Sequence, residues 1–383
     1  MSTANINSVG MSERKLKRPR PVLMIPLRRC GSHALRLRLN FNADFHAPYP
    51  LHIVDYMPLV PMYGDLSDDK SYFRMVVDVV GLQAASVVKW PGMVFDPVDI
   101  FEAIKDDKRS VHRIAWELLL RTAEHNHARI VMDKSLDNVR YAEELMNLFP
   151  DMLFLNVVRD PRAQVASMNR AIIHDFDTTL NAMEWTDAHR IGRELVAKYP
   201  ERVLTIRYED FLDDQETTLR KVCAFFEMTF LPEMLDVSRS QEAMQISQLS
   251  ALWASNCSAP IAANKDKFKV QLSNEEIEII ETLAQDHMRH YGYEFMTAAQ
   301  AVLPDKAILR EARLHSERSR QRAWRDLEQN NYRDYVLRRF RADYISKVRS
   351  CLEQIRALEQ AANSTASHPR KHAAKHPTST KVA

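Results

Sequence analysis

Residues 21–42, PVLMIPLRRCGSHALRLRLNFN, predict a strand, a tight loop and a helix in direct succession. The apolar run 22–27 begins with a β-branched valine, as is typical of a buried parallel strand. Polar and charged residues follow in the loop 28–33, and a helical pattern occupies 34–42. This order places the loop at the carboxyl end of a strand and directly before a helix.

Gly31 is one of only seven glycines in the 383-residue chain, so its position in this loop is informative. A glycine between a strand and a helix lets the backbone turn sharply and approach a ligand closely. The free N–H groups at the helix start and the helix dipole favour an anion there. Because Arg28, Arg29 and Ser32 share the loop, the pattern predicts a phosphate or sulfate site. The alternative is an ordinary turn with solvated arginines.

The loop differs from two common nucleotide-binding motifs. A P-loop requires G-x-x-x-x-G-K-[ST], and no Gly-Lys pair occurs in the chain. The dinucleotide fingerprint G-x-G-x-x-G does not occur either.

The composition of the chain indicates its cellular compartment and the kinds of partner it can have. The chain has 45% apolar residues, enough for a sizeable core, and a net charge of +2. It has no apolar run of membrane-spanning length and no apolar segment typical of a secretory signal near its start. The four cysteines are far apart, which argues against a disulfide framework and structural zinc. We expect a cytoplasmic protein with no nucleic-acid partner.

Three further apolar runs, 129–132, 152–158 and 203–208, predict core strands. Lys134 follows the first of them. Since ligands of open α/β sheets lie outside the carboxyl ends of the strands, Lys134 is well placed to meet an anion. A solvated loop lysine fits this pattern equally well.

Arg159 follows the run 152–158, and Ser167 lies eight residues further along the chain. Asp160 and Pro161 have the side chains expected at an N-cap and at the first helical position, so a helix should begin between them. An arginine at the strand end and a hydroxyl two turns along that helix can both reach one phosphate group.

The two ends of the chain differ in composition from the segments between them. Residues 1–20 predict a flexible basic tail, and residues 361–383 predict a disordered tail. The histidines of the second tail are His368, His372 and His376, and exposure to solvent is a simpler interpretation for them than metal binding. Residues 304–360 predict two helices that pack on the main domain or pair with a second subunit, which would give a homo-oligomer. Nucleic-acid or anionic-membrane binding by these helices is the lesser alternative.

Three segments, taken in this order, resemble the sulfotransferases, which use 3′-phosphoadenosine 5′-phosphosulfate (PAPS) as donor: PLRRCGSHALRLRLN, VVRDPRAQVASMNR and IRYEDFLDDQETTLRKVCAFFEM. The resemblance covers about residues 21–295 and is to the bacterial and protein-tyrosine-sulfotransferase-like branch. It implies an α/β fold with a central parallel sheet flanked by helices, similar to P-loop proteins. The domains would be 21–297 for sulfotransfer and 298–360 for a C-terminal helical extension.

The resemblance also implies roles for individual residues. The 5′-phosphosulfate loop would be Arg28, Arg29, Cys30, Gly31, Ser32, His33 and Ala34. The donor's 3′-phosphate would lie against Arg159 and Ser167, with Tyr208 near the nucleotide. Residues 255–267 would close over the donor, and of the two basic residues there Lys265 is preferred to Lys267. Lys134 would lie near the transferring group.

The implied reaction is an in-line displacement at sulfur, without a metal, in which Arg29 and Lys134 stabilise the bridging oxygen. Bacterial relatives often have a glutamate base in a segment like S-P-P-E-L-H, but Pro50 stands at that position here. His52 is therefore the preferred general base, with Asp55 and His46 as alternatives, all within a proline-rich segment, 46–63, that predicts a loop near the donor. The proline in place of this glutamate is also consistent with a different class of acceptor or with a loss of activity.

Two other functions fit parts of the sequence. A nucleotide-dependent kinase would bind ATP with magnesium, although the missing Gly-Lys pair argues against it. A catalytically silent scaffold would keep the fold and bind a partner through its C-terminal helices. The acceptor of a sulfotransferase would be a small molecule or glycan, with a lipid-linked glycan and a peptide tyrosine also open.

Overall fold

The computed structural model describes residues 18–258 and 265–366. Five strands form one parallel sheet in the order β2-β3-β1-β4-β5. The strands are β1 Arg20–Ile25, β2 Phe45–His46, β3 Ile130–Asp133, β4 Leu153–Val158 and β5 Val203–Arg207. The predicted fold class, a central parallel sheet with flanking helices, is confirmed, and so are the four predicted core strands.

The helices of the described part of the chain flank this sheet and continue beyond it at the C-terminal side. They are α1 Ser32–Leu39, α2 Asp69–Ala84, α3 Pro97–Ile104, α4 Val111–His125, α5 Ala142–Leu148, α6 Pro161–Met168, α7 Thr178–Lys198, α8 Tyr208–Asp213, α9 Gln215–Phe225, α10 Gln241–Leu249, α11 Asn274–Leu283, α12 Gln285–Tyr291, α13 Lys306–Asn330 and α14 Tyr332–Ala366. None of them combines the length and hydrophobicity that a bilayer crossing requires.

The central strand, β1, is buried on both faces, as its continuous apolar run predicts. Leu23 and Ile25 pack into the core formed with α2 and α4, whereas Val22 and Met24 point into the core formed with α1 and α9. All four side chains are fully buried. The alternation anchors the strand from both sides, so the position of the loop that follows it is well determined.

The strand order reverses at β1. The chain places β2 and β3 on one side of β1 and then crosses over to place β4 and β5 on the other. At such a reversal the connections leave in opposite directions and open a crevice at the carboxyl ends of the central strands. The loop after β1, the residues after β3 and those after β4 therefore meet at one edge of the sheet.

The segment 46–63 is more regular than predicted. Residues Ile53–Tyr63 form a 3₁₀ helix that contains Pro58 and Pro61. Each proline lacks an N–H and so interrupts the hydrogen bonds of a regular α-helix. The short strand β2, two residues long, was not predicted, because a two-residue pairing leaves no periodicity to read.

The two predicted C-terminal helices are present as α13 and α14, and they pack against the rest of the protein. On α2, Gly81 has no side chain, and a Cβ there would lie 2.0 Å from the hydroxyl of Tyr344 on α14. The same hydroxyl donates to the backbone oxygen of Asp78 at 2.9 Å. On α13, the Ser316 hydroxyl donates to Asp175 at 2.8 Å. These contacts explain the docking, whereas pairing with a second subunit stays a prediction.

Other terminal predictions fall partly outside the described residues. The tails 1–17 and 367–383, including His368, His372 and His376, lie there, as does the segment 259–264. At the C-terminal side α14 continues past the predicted end at 360 to Ala366. The domain boundaries stay a prediction.

Candidate active site

A cavity of about 700 Å³ opens at the carboxyl ends of the central strands. Its lining includes residues of the loop after β1, Lys134 after β3, Arg159 after β4 and Tyr208 after β5. These are the positions that the sheet topology brings together, and they carry side chains suited to an anion.

The loop after β1 adopts the tight turn that its glycine predicts. Gly31 is the N-cap of α1 and has a left-handed backbone, with φ of 87° and ψ of 11°. The ring of Tyr208 lies directly against it, so a Cβ on residue 31 would be 2.1 Å from the nearest ring atom. In the first turn of α1 the N–H groups of Ala34 and Leu35 donate to the Gly31 oxygen at 3.0 and 3.4 Å, whereas those of Ser32 and His33 have no partner within the helix. The absence of a side chain at Gly31 therefore makes room for the Tyr208 ring, and the N–H groups of Ser32 and His33 are the ones suited to a ligand.

Arg29, Arg159 and Ser167 converge on one wall of the cavity. The Nε of Arg29 donates to the Ser167 hydroxyl at 3.1 Å, and Nη1 of Arg159 donates to the backbone oxygen of Arg29 at 2.8 Å. The Arg159 guanidinium also lies over the Tyr208 ring, 5.1 Å from its centre. Burial and the charge of Arg159 lower the pKa of Arg29 to about 10. Two partly buried guanidinium groups whose charges repel each other favour an anion beside them.

Lys134 occupies the floor of the cavity and is only 2% exposed. Its Nζ donates to the Ser32 hydroxyl at 3.5 Å, so β3 and the loop after β1 meet at this amine. Burial, followed by the charge of Arg36, lowers the pKa of Lys134 to about 7. The amine therefore titrates near neutral pH when no anion is bound.

The three candidate bases differ in position. His52 and Asp55 line the cavity, whereas His46 does not. The backbone N–H of His52 donates to the Ser135 hydroxyl at 3.0 Å, which fixes the residue beside Lys134. Burial and the charge of Arg28 hold the pKa of His52 well below its usual value, so its imidazole is neutral at pH 7.

His33 is a further imidazole of the cavity, at the start of α1. Burial and the charge of Lys134 hold its pKa well below the usual value. Its ring stacks with Tyr49, with 5.9 Å between ring centres. From sequence it was assigned only to the donor loop.

Not every residue proposed from the sequence reaches the cavity with its side chain. Cys30 is fully buried elsewhere, and burial raises the pKa of its thiol to about 11. Arg28 lines the cavity but pairs with Asp137 at 2.7 Å. Ala34 contributes to the lining, as do the residues Ser255, Asn256 and Ser258 of the segment expected to close over the donor.

The two lysines of that segment are placed opposite to the expectation. Lys265 forms an ion pair with Asp213 and is not part of the lining. Lys267, two residues further on, lines the cavity. The structure therefore favours Lys267 over Lys265 as the basic residue at the donor side, because the Lys265 charge is already paired.

Sequence reasoning missed a further part of the cavity wall. Trp253 and the arginines Arg338 and Arg341 of α14 line it, together with Tyr49. The guanidinium of Arg338 lies 5.4 Å from the centre of the Trp253 ring. The sequence analysis assigned no residue of the C-terminal helices to the site, because a charged helix gives no signal that tells which of its residues reach a distant loop.

Within residues 18–258 and 265–366, no group of three or more His, Cys, Asp or Glu side chains is arranged to hold a metal ion.

Residues 21–232 match the sequence profile of the sulfotransferase family. Among solved structures, a sulfotransferase domain from the curacin biosynthetic pathway is 18% identical, with a TM-score of 0.47 over 72% of this chain and 99% of that domain. A sulfotransferase domain from the olefin synthase of Synechococcus PCC 7002 is 20% identical, with a TM-score of 0.45 over 70% of this chain and 96% of that domain. A sulfotransferase from Mycobacterium avium is 14% identical, with a TM-score of 0.40 over 73% of this chain and 78% of that one. No curated protein matches the sequence.

Proposed function

We propose that this chain, which belongs to the sulfotransferase family, moves the sulfuryl group of PAPS to a hydroxyl or amine of an acceptor. The observation that carries the proposal is the convergence of Arg29, Arg159 and Lys134 on one cavity at the carboxyl ends of three neighbouring strands. The cavity is cationic and is bounded by the first turn of α1, whose N–H groups suit a multiply charged nucleotide.

The donor would lie across the carboxyl end of β1. The loop 28–34 would hold the 5′-phosphosulfate through its backbone N–H groups and Arg29. Arg159 and Ser167 would hold the 3′-phosphate. In this arrangement the bound anions relieve the repulsion between the neighbouring guanidinium groups of Arg29 and Arg159. Lys267 would approach from the closing segment.

The transfer itself is an in-line displacement. The acceptor oxygen forms a bond to sulfur while the bond between sulfur and the bridging oxygen breaks. The electron pair of that bond stays on the 5′-phosphate oxygen of the departing adenosine 3′,5′-bisphosphate. Lys134 in its ammonium form and Arg29 stabilise the charge that develops on this oxygen. The acceptor proton moves to a general base.

His52 is the base that the geometry favours over Asp55. The Asp55 carboxylate accepts from Arg341 at 3.2 Å, whereas Nδ1 of His52 has no hydrogen-bond partner among the described residues. The imidazole of His52 is neutral at pH 7 and can accept a proton, and an anionic donor bound beside it would offset the charges of Arg28 and Lys134 that lower its pKa.

Calorimetry with adenosine 3′,5′-bisphosphate tests the donor site. We expect the wild-type chain to bind it and Arg159→Ala to bind about ten- to a hundredfold more weakly, because a charge-assisted contact to phosphate is lost. Arg190→Ala is the matched control, since Arg190 is an exposed arginine of α7 that pairs only with neighbouring carboxylates. Absence of binding by the wild type would remove the proposal, and tighter binding of ATP with magnesium would favour a kinase.

Bisphosphate binding at pH 8 should take up roughly one proton per site. The free Lys134 amine, with a pKa of about 7, is mostly neutral at that pH, and an anion bound beside it favours the ammonium form. The affinity should therefore fall as the pH rises above 7. Calorimetry in two buffers of different ionisation enthalpy measures the uptake. Lys134→Met should abolish it, and equal heats in both buffers for the wild type would contradict the assignment.

A further inference from the structure

The helix α14 forms part of the wall of the cavity that holds Arg29 and Lys134. Arg338, Arg341 and Ile345 of this helix line it, and Trp324 of α13 lies nearby in the same lining. Both helices lie outside residues 21–232, the part of the chain that matches the family profile. The lining supplied by these helices is therefore additional to the part that resembles the family.

Arg341 is held in place by one nitrogen only. Its Nη2 donates to the backbone oxygens of Leu51 at 3.0 Å and His52 at 3.2 Å, and to the Asp55 carboxylate at 3.2 Å. Within the described ranges its Nε and Nη1 make no hydrogen bond, although the side chain is only 12% exposed. The guanidinium is thus oriented by the protein and keeps two N–H-bearing nitrogens for a ligand.

Arg338 lies one turn earlier on α14 and is also oriented. Its Nε lies 2.8 Å from the Asp334 carboxylate and its Nη2 donates to the Ser250 hydroxyl at 3.2 Å. The positive charges of Arg341 and Arg338 both contribute to the low pKa of His52, after burial, Arg28 and Lys134. The two arginines therefore act on the same region of the cavity as the proposed base.

The charges of the cavity are strongly unequal. Among the described residues that line it, Asp55 is the single carboxylate, and nine are cationic. Four of these, Arg29, Arg159, Lys134 and Lys267, are assigned to the donor under the proposed function. Arg341 lies against the backbone of His52, the proposed base that the acceptor must reach, and Arg338 lies over the Trp253 ring, from where its charge also acts on Arg29. The charges of Arg338 and Arg341 are additional to the four cations assigned to the donor.

Building on the proposed function, we propose that the acceptor carries an acidic group, a carboxylate or a phosphate or sulfate monoester, near the hydroxyl that is sulfated. Arg341 binds this group through Nε or Nη1, and Arg338 adds its charge. Arg338 and Arg341 are thus specificity residues of the acceptor side, and the C-terminal helices make the pocket selective for acidic acceptors over neutral ones.

The test uses the full-length chain saturated with adenosine 3′,5′-bisphosphate, so that the donor cations are occupied. Benzoate, phenyl phosphate and the neutral analogue benzamide are then titrated by ligand-observed NMR. We expect at least one of the two acids to bind about tenfold or more tightly than benzamide, because a charge-assisted hydrogen bond is added. The acid that binds more tightly indicates whether the acidic group of the acceptor is a carboxylate or a phosphate-like group.

Variants of the arginines on α14 show where the acidic probe binds. Arg341→Gln and Arg338→Gln should reduce the preference for the acid, whereas Arg339→Gln should keep it, because Arg339 is an exposed arginine of the same helix paired with Asp343. The bisphosphate affinity of each variant confirms that its donor side is folded. Equal binding of acids and benzamide, no binding of any probe, or a preference that survives in both Arg338 and Arg341 variants would overturn the proposal. Failure of the wild type to bind bisphosphate would instead remove the proposed function.

Discussion

Replacing Lys134 by methionine is expected to slow sulfuryl transfer roughly a hundred- to a thousandfold, the loss typical of removing one buried group that stabilises developing charge. Methionine keeps the unbranched apolar stem of the side chain but lacks the terminal ammonium. Lys134 is buried at the floor of the cavity against the Ser32 hydroxyl, so water cannot readily replace it. Bisphosphate affinity should fall by much less, because Arg29 and Arg159 remain.

The measurement is the initial rate at which labelled sulfate passes from saturating PAPS into acceptors of a host extract. Lys105→Met provides the control, since Lys105 is a surface lysine paired with Glu102, three residues earlier. An unchanged rate in Lys134→Met would show that the leaving oxygen is stabilised elsewhere. If the transfer rate and the bisphosphate affinity fall by the same factor, Lys134 contributes only to binding.

Gly31→Ala should weaken both the fold and the donor site. The left-handed backbone costs alanine about 1–2 kcal/mol. A Cβ only 2.1 Å from the Tyr208 ring must also displace that ring, which adds about 1–3 kcal/mol typical of overpacking. Because the ring supports the Arg159 guanidinium, we expect bisphosphate affinity to drop about tenfold or more.

Gly292→Ala separates these two effects. Gly292 has a left-handed backbone like that of Gly31, but a Cβ there meets no atom within 4 Å. Denaturant unfolding should therefore show the backbone cost alone in Gly292→Ala, with bisphosphate binding unchanged. If both variants lose the same stability, the Tyr208 ring yields freely and the close-contact argument is wrong.

The sequence was most informative where local chemistry decides the structure. The apolar run of β1, the glycine of the following turn and the Asp160-Pro161 helix start each depend on a few neighbouring residues, and each is found as predicted. The capping of α6 by the Asp160 side chain is an example, since it accepts from the N–H of Arg162 at 2.8 Å.

The remaining parts of the site depend on contacts between distant segments. Whether Lys265 or Lys267 faces the cavity is decided by Asp213, more than fifty residues earlier, which pairs with Lys265. The wall formed by α14 depends on the absence of a side chain at Gly81, which admits Tyr344. Neither pairing leaves a periodic or local pattern in the sequence, so neither was predicted.

The contact between Arg341 and the backbone of Leu51 joins residues 290 positions apart. A chain still being made on the ribosome can form its sheet and donor loop long before α14 exists. Until that helix has been synthesised and has docked, the nascent protein holds a pocket with one side open to water. Under the two proposals, acceptor selectivity is therefore gained only after α14 has docked, and a product that terminates before α14 should keep nucleotide binding yet lack that selectivity.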